Sequence, residues 1–222
     1  MPILTGPRAA ARSGRTKSLV ILLHGYGADG NDLFGLSGPL AQHLPDTAFR
    51  SPNAPERCRV NPMGYQWFPI SWLDGSAASE MEAGFRRSAE ILDRYITEAM
   101  AEEGVGPAQT ALVGFSQGTM MSLHVAPRRR EPLAGIVGFS GRLHAGDNLK
   151  QEATSKPPVL LVHGDQDEMI PVAALAEAKS ALTDAGFRVR SHISRGIGHC
   201  IAPDGLGLAL GFLAEHLKAK AE

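Results

Sequence analysis

Three kinds of side chain in this sequence have the types and spacing that acyl-transfer chemistry needs. They are a serine between glycines, a run of carboxylates, and a histidine on a glycine-rich turn. The serine lies in Gly114-Phe115-Ser116-Gln117-Gly118, a G-x-S-x-G pattern. A serine hydroxyl is a weak nucleophile and must project clear of the backbone toward a base and a carbonyl carbon. A tight strand-to-helix turn achieves this, and glycines on either side remove the side chains that would clash there. The context fits, because Ala111-Leu112-Val113 reads as a buried strand and Thr119 to Ala126 as a helix running up to Pro127. The similar stretch Gly138-Phe139-Ser140-Gly141 lacks the second spaced glycine and has no helical pattern after it, so Ser140 reads as a loop serine at a strand end.

An activated serine also needs an imidazole to take its proton and a carboxylate to orient that imidazole. Both partners follow in the chain order serine, acid, histidine. The strand-like Val159-Leu160-Leu161-Val162 leads into His163-Gly164-Asp165-Gln166-Asp167-Glu168-Met169-Ile170-Pro171. Spacing alone leaves Asp165, Asp167 and Glu168 open as the acid. The alternating run Arg188 to Ser194 leads into Arg195-Gly196-Ile197-Gly198-His199. Of eight histidines, His199 alone lies downstream of both serine and acid on a tight turn after a strand. His43, His144 and His216 read as solvated, His124 as a packing residue behind the nucleophile, and His192 as a strand residue. His24 and His163 read as loop organisers with satisfied ring nitrogens.

The elements that must position these groups alternate. Leu19 to Leu23, Thr47 to Arg50, Leu133 to Phe139, Pro158 to Val162 and Arg188 to Ser194 read as strands. Leu33 to Leu44, Glu80 to Glu103, Val172 to Ala185 and Leu206 to Lys220 read as helices. In Glu80 to Glu103, Phe85, Ala89, Leu92, Ile96 and Met100 form one apolar stripe. This order predicts an α/β fold with a mostly parallel central sheet and helices on both faces, without a large lid. The His24 loop, Ser116, the Asp165 region and His199 all fall just after predicted strands, where such sheets collect their chemistry. Residues 1–17 read as a loosely held arm or an edge strand, and residues 18–222 as one domain. Ser51 to Gly75 reads as a long irregular segment rich in aromatics.

Composition removes other classes. A net charge of -1 carries no nucleic-acid signature, and no apolar run approaches a membrane span. Two cysteines, Cys58 and Cys200, form neither a disulfide framework nor a zinc spacing, and the N-terminal basic residues lead into no secretory apolar core. The expectation is a cytoplasmic enzyme without metal or cofactor, acting on a small-molecule ester without membrane insertion. Whether it forms a homodimer is left open. His24, Asp29 and Asp32 match no metal-binding pattern. A catalytically inactive binding module of the same fold has no chemical need for a complete set of serine, acid and histidine.

Four segments resemble one family. The segment His163 to Pro171 resembles the HG-x-x-D-x-x-(V/I)-P mark of the phospholipase/carboxylesterase family, which includes the acyl-protein thioesterases. Leu23-His24-Gly25-Tyr26-Gly27-Ala28-Asp29-Gly30, Gly114 to Gly118 and Gly196-Ile197-Gly198-His199 resemble its other marks, and the match runs from about Leu19 to about Leu217. The resemblance implies an α/β-hydrolase fold, a triad of Ser116, Asp167 and His199, and an oxyanion hole from the backbone N–H groups of Tyr26 and Gln117. The Tyr26 to Gly30 loop resembles that of the family's bacterial carboxylesterases, and Pro69 stands where the acyl-protein thioesterases usually carry an acid. The activity expected is hydrolysis of short to medium acyl esters through an acyl-enzyme, with thioesterase or lysophospholipase activity as the alternative. Trp67, Phe68 and Trp72 are expected to wall the acyl pocket.

Overall fold

A computed structural model of the chain describes residues 4–144 and 148–217. Its elements in chain order are β1 (Arg8–Ala9), β2 (Ser18–Leu23), α1 (Gly30–Phe34), α2 (Ser37–His43), β3 (Thr47–Arg50), β4 (Glu56–Arg57), β5 (Tyr65–Gln66), α3 (Ser71–Asp74) and α4 (Ala78–Glu103). They continue with β6 (Thr110–Phe115), α5 (Gln117–Arg128), β7 (Gly135–Phe139), α6 (Leu149–Glu152), β8 (Val159–Gly164), α7 (Ala173–Asp184), β9 (Val189–Ser194) and α8 (Pro203–His216). Seven strands form one sheet in the order β1-β3-β2-β6-β7-β8-β9, parallel throughout except for the β1–β3 edge pair.

All six residues of β2 are buried, as a strand covered on both faces requires. Its alternate residues supply two cores. Leu19, Ile21 and Leu23 pack with α4, α5 and α7, whereas Val20 and Leu22 pack with α1, α2 and α8. Each fully buried aliphatic side chain contributes about 1.5–3 kcal/mol over its exposed state. From β2 the chain moves outward to β3 on one side and then crosses to β6 on the other. That reversal opens a crevice between the carboxyl ends of β2 and β6, where ligands bind in open α/β sheets.

Several boundaries differ from the sequence reading. The predicted helix Leu33 to Leu44 is two short helices, α1 and α2, parted at Gly35 and Leu36. Of the two forms expected for the N-terminal arm, the structure has the edge strand: Arg8 and Ala9 pair with Arg50 and Phe49, and Leu4 and Ala11 are buried. Pro127 sits in the last turn of α5 instead of ending it beforehand. The segment Ser51 to Gly75 is not structureless, since it holds the β4–β5 hairpin and α3. Lys218 to Lys220, predicted to close the last helix, lie outside the described residues. The side chain of Arg50, 7% exposed, accounts for the two acids ending α4: it bonds Glu102 at 2.7 Å and Glu103 at 2.8 and 2.6 Å. Acids at a helix carboxyl end oppose the helix dipole, and the guanidinium offsets them.

Candidate active site

Ser116 occupies the turn between β6 and α5 with φ 54° and ψ −114°, left-handed backbone that a residue with a side chain seldom adopts. The turn is tight enough to exclude side chains on both sides. A Cβ on Gly114 would lie 2.4 Å from the backbone of Gly118 and Thr119, and one on Gly118 would lie 1.8 Å from the carbonyl oxygen of Leu23. Neighbouring strands hold the strained residue in place. The Ser116 N–H donates to the Phe139 carbonyl at 2.9 Å, that of Ser140 to Val162 at 2.9 Å, and that of Asp165 to Ser194 at 3.1 Å. The exits of β6, β7 and β8 are thereby each laced to a carbonyl near the end of the next strand.

Asp167 is the carboxylate that meets His199, with Oδ2 accepting from Nδ1 at 2.7 Å. Its side chain is fully buried and otherwise satisfied. Oδ1 accepts from the N–H groups of Met169 (2.9 Å) and Ile170 (2.8 Å), and His163 Nε2 lies 3.2 Å from Oδ2. Burial pushes the Asp167 carboxyl up, but the donors from Ile170, His199 and Met169 outweigh it and hold it below the usual carboxylate range. A proton on His199 Nδ1 leaves Nε2 as the basic nitrogen. Asp165 points elsewhere, and its Oδ1 accepts the Gly196 N–H at 2.6 Å and so pins the turn before His199. Glu168 is exposed.

Ser116 and His199 line one cavity of about 160 Å³, together with Tyr26 and Gln117. Gln117 is the first residue of α5, so its N–H has no acceptor within the helix. The remaining wall is mostly apolar and includes Ile70, Trp72, Leu73, Met120 and Met169. Trp72, Leu73 and Met169 are also exposed, which places them at the mouth. The Tyr26 hydroxyl donates to Asp74 Oδ2 at 3.0 Å. Burial pushes the Tyr26 phenol well above its usual range, with Cys58 and Asp74 adding to the effect.

Two of the three expected pocket residues are elsewhere. Trp67 is fully buried, with Nε1 donating to the His24 carbonyl at 3.0 Å. Phe68 is also buried and packs edge-on against Phe85, with ring centroids 5.1 Å apart. Neither lines the cavity; of the three, only Trp72 does. The cause is the Gln117 side chain, whose Oε1 accepts from Trp67 N–H at 3.0 Å while Nε2 donates to the Phe68 carbonyl at 2.7 Å. The Trp67 carbonyl also accepts from Ser88 Oγ, tying the segment to α4. The elbow glutamine therefore has a structural use that its place in the motif did not disclose.

The loop histidines carry their bonds internally. His24 Nδ1 donates to the Gly25 carbonyl (2.7 Å) and Nε2 accepts from Ala54 N–H (3.0 Å), a neutral ring whose pKa burial lowers. His163 Nε2 donates to the Ile170 carbonyl at 2.8 Å and supports the Asp167 loop. Asp29 caps α1 through the N–H groups of Asn31 and Asp32. Ser140 has φ 45° and is buried beside the elbow. His144, read as solvated, stacks on Phe85 with ring centroids 4.0 Å apart. Among the described residues, no helix is long and apolar enough to cross a membrane.

A mostly parallel sheet with helices on both faces, and a serine at the strand-to-helix elbow beside an acid-oriented histidine, define an α/β-hydrolase. The phospholipase/carboxylesterase family model matches residues 5–217, and the chain belongs to that family. Membership makes it a hydrolase of the carboxylic ester class. Esterase PE8 superposes with a TM-score of 0.91 at 48% identity, over 96% of this chain and 99% of that one. Acyl-protein thioesterase 1 of Saccharomyces cerevisiae is 28% identical over 97% of this chain and its own full length. Esterase YpfH of Escherichia coli is 29% identical over 89% of this chain and 82% of its own.

Proposed function

We propose that the protein is a serine carboxylesterase of short to medium acyl esters. The observation that carries this reading is the Asp167–His199 hydrogen bond facing the same cavity as the strained Ser116. Ser116 Oγ attacks the ester carbonyl carbon while His199 Nε2 takes its proton. The carbonyl π pair moves onto oxygen, and the N–H groups of Tyr26 and Gln117 stabilise that oxyanion. Asp167 holds the imidazole tautomer and stabilises the imidazolium. The oxyanion collapses, the C–O bond to the alcohol breaks, and the alcohol leaves with the proton from His199. A water then gives its proton to His199 and attacks the acyl-enzyme, which releases the acid and restores Ser116.

A small apolar cavity supports the acyl-length part of the proposal. Each methylene buried there gains about 0.8 kcal/mol until the walls are met. A long-chain reading as thioesterase or lysophospholipase draws support from the exposed Trp72, Leu73 and Met169 at the mouth and from the acyl-protein thioesterase relative. The test is a panel of p-nitrophenyl esters from C2 to C16, run with wild type and Ser116→Ala, together with fluorophosphonate labelling. Turnover is expected to peak at a short or medium chain, to vanish nearly completely in Ser116→Ala, and the label to fall on Ser116. Activity climbing through C16 favours the long-chain reading, and retained turnover in Ser116→Ala removes the serine mechanism.

A further inference from the structure

Tyr26 faces the reaction through its backbone, while its hydroxyl reaches a different element. That hydroxyl donates to Asp74 Oδ2 at 3.0 Å; the same oxygen accepts the Ile70 N–H at 3.0 Å, and Oδ1 accepts the Ser76 N–H at 2.9 Å. One carboxylate thus closes the turn that presents Ile70, Trp72 and Leu73 to the cavity. The helix in that turn, α3, has four residues and no side-chain cap at its start. A single turn of helix has no stability of its own, so contacts from outside must hold it. Arg142 contributes one, with its guanidinium 5.1 Å from the Trp72 ring centre. Trp72 and Leu73 are exposed, so core packing anchors the turn only through the buried Ile70.

We propose that the Tyr26 hydroxyl is a positioning group for acyl selection: through Asp74 it sets the distance between the oxyanion donors and the wall formed by Ile70, Trp72 and Leu73. This rests on the reading of Ser116 as nucleophile, and it adds a length gauge to that site. A wall fixed to the oxyanion loop touches the acyl chain a set number of methylenes from the carbonyl. Released, the wall recedes, short chains lose contact and longer ones gain room. The backbone N–H of Tyr26 stays where it is, so the change belongs in KM rather than kcat.

The test is Tyr26→Phe, which keeps the ring and removes the latch. A hydrogen bond to a carboxylate supports about a tenfold effect. The octanoate-to-butyrate ratio of kcat/KM should rise about tenfold, carried by KM. Amide exchange across residues 70–76 should quicken. Asp74→Ala removes the same bond together with those from Ile70 and Ser76, so the ratio should rise at least as far, with the double variant going no further than Asp74→Ala alone. An unchanged ratio, or an equal loss of kcat on every ester, overturns the proposal; the second result would make the hydroxyl a support of the oxyanion loop alone. Exchange is read without turnover, and fluorophosphonate labelling of Ser116 in the same samples reports the nucleophile separately. A failed latch and a failed serine mechanism are therefore told apart.

Discussion

Replacing Asp167 by asparagine tests the site at its most constrained atom. Oδ1 accepts two backbone N–H groups, from Met169 and Ile170, and only an oxygen can serve there. An asparagine therefore turns its one oxygen toward them and its NH₂ toward His199, where the carboxylate accepted at 2.7 Å. Facing a donor, Nδ1 must accept, and the ring proton moves to Nε2, the nitrogen that should take the serine proton. Loss of the correct tautomer costs about four orders of magnitude in kcat, or about 5.4 kcal/mol of transition-state stabilisation. One charge-assisted hydrogen bond is lost from the fold, about 1.5–3 kcal/mol, which a domain with about 5–15 kcal/mol to lose survives. Asp165→Asn is the control. It keeps an oxygen for the Gly196 N–H at 2.6 Å and should lose less than about tenfold. The assay is kcat on p-nitrophenyl butyrate for both variants, with circular dichroism to show that each is folded. A folded Asp167→Asn within tenfold of wild type, or a larger loss in Asp165→Asn, would refute the assignment.

Two further outcomes follow from burial. Trp67→Ala should cost about 3–5 kcal/mol in urea denaturation, because Trp67 is a core plug bonded to His24. Trp72→Ala, 60% exposed at the mouth, should cost below about 1 kcal/mol yet shift the preferred acyl length; the reverse pattern would return Trp67 to the pocket. Burial, then the charges of Arg128 and His144, lower the His124 pKa from 6.5 to about 4. The unfolded chain takes up that proton near 6.5 while the folded state refuses it, so stability is lost as pH falls from about 6.5 toward about 4. The urea midpoint of His124→Gln should decline less steeply than wild type across that window, and parallel curves would exclude the effect.

What was legible in the sequence was local. The G-x-S-x-G elbow, the loops after β2, β8 and β9, and the alternation of strands with helices are each written in a few adjacent residues, and each is where it was expected. Asp167 could be singled out from its neighbours only through the family resemblance, because residues two apart in a loop differ in direction and not in type. The fate of Trp67 and Phe68 was not legible, because aromatic side chains in an irregular segment suit a pocket wall and a core plug equally well. Gln117, fifty residues away from Trp67, decides between them through its amide. Arg50 with Glu102 and Glu103 is a long-range match of the same kind. The choice between a loose arm and an edge strand was equally hidden, because a two-residue strand has no period to detect.

The lacing of strand exits divides the site mechanically. Ser116, Ser140 and Asp165 are each tied to a carbonyl near the end of an adjacent strand, so the elbow serine and the start of the Asp167 loop belong to the sheet's own cooperative unit. They can lose their places only when the sheet opens, and their amides should exchange with solvent only at the cost of global unfolding. The exposed part of the α3 wall, Trp72 and Leu73, lies outside that unit, held through the Asp74 carboxylate, the Arg142 guanidinium over the Trp72 ring and the neighbouring Ile70 in the core. The mouth should therefore yield first on the α3 side, where hydrogen exchange is expected to be faster than at the elbow, without disturbing the strained serine. The cavity thus has a floor as rigid as the sheet and a rim no firmer than a single turn of helix.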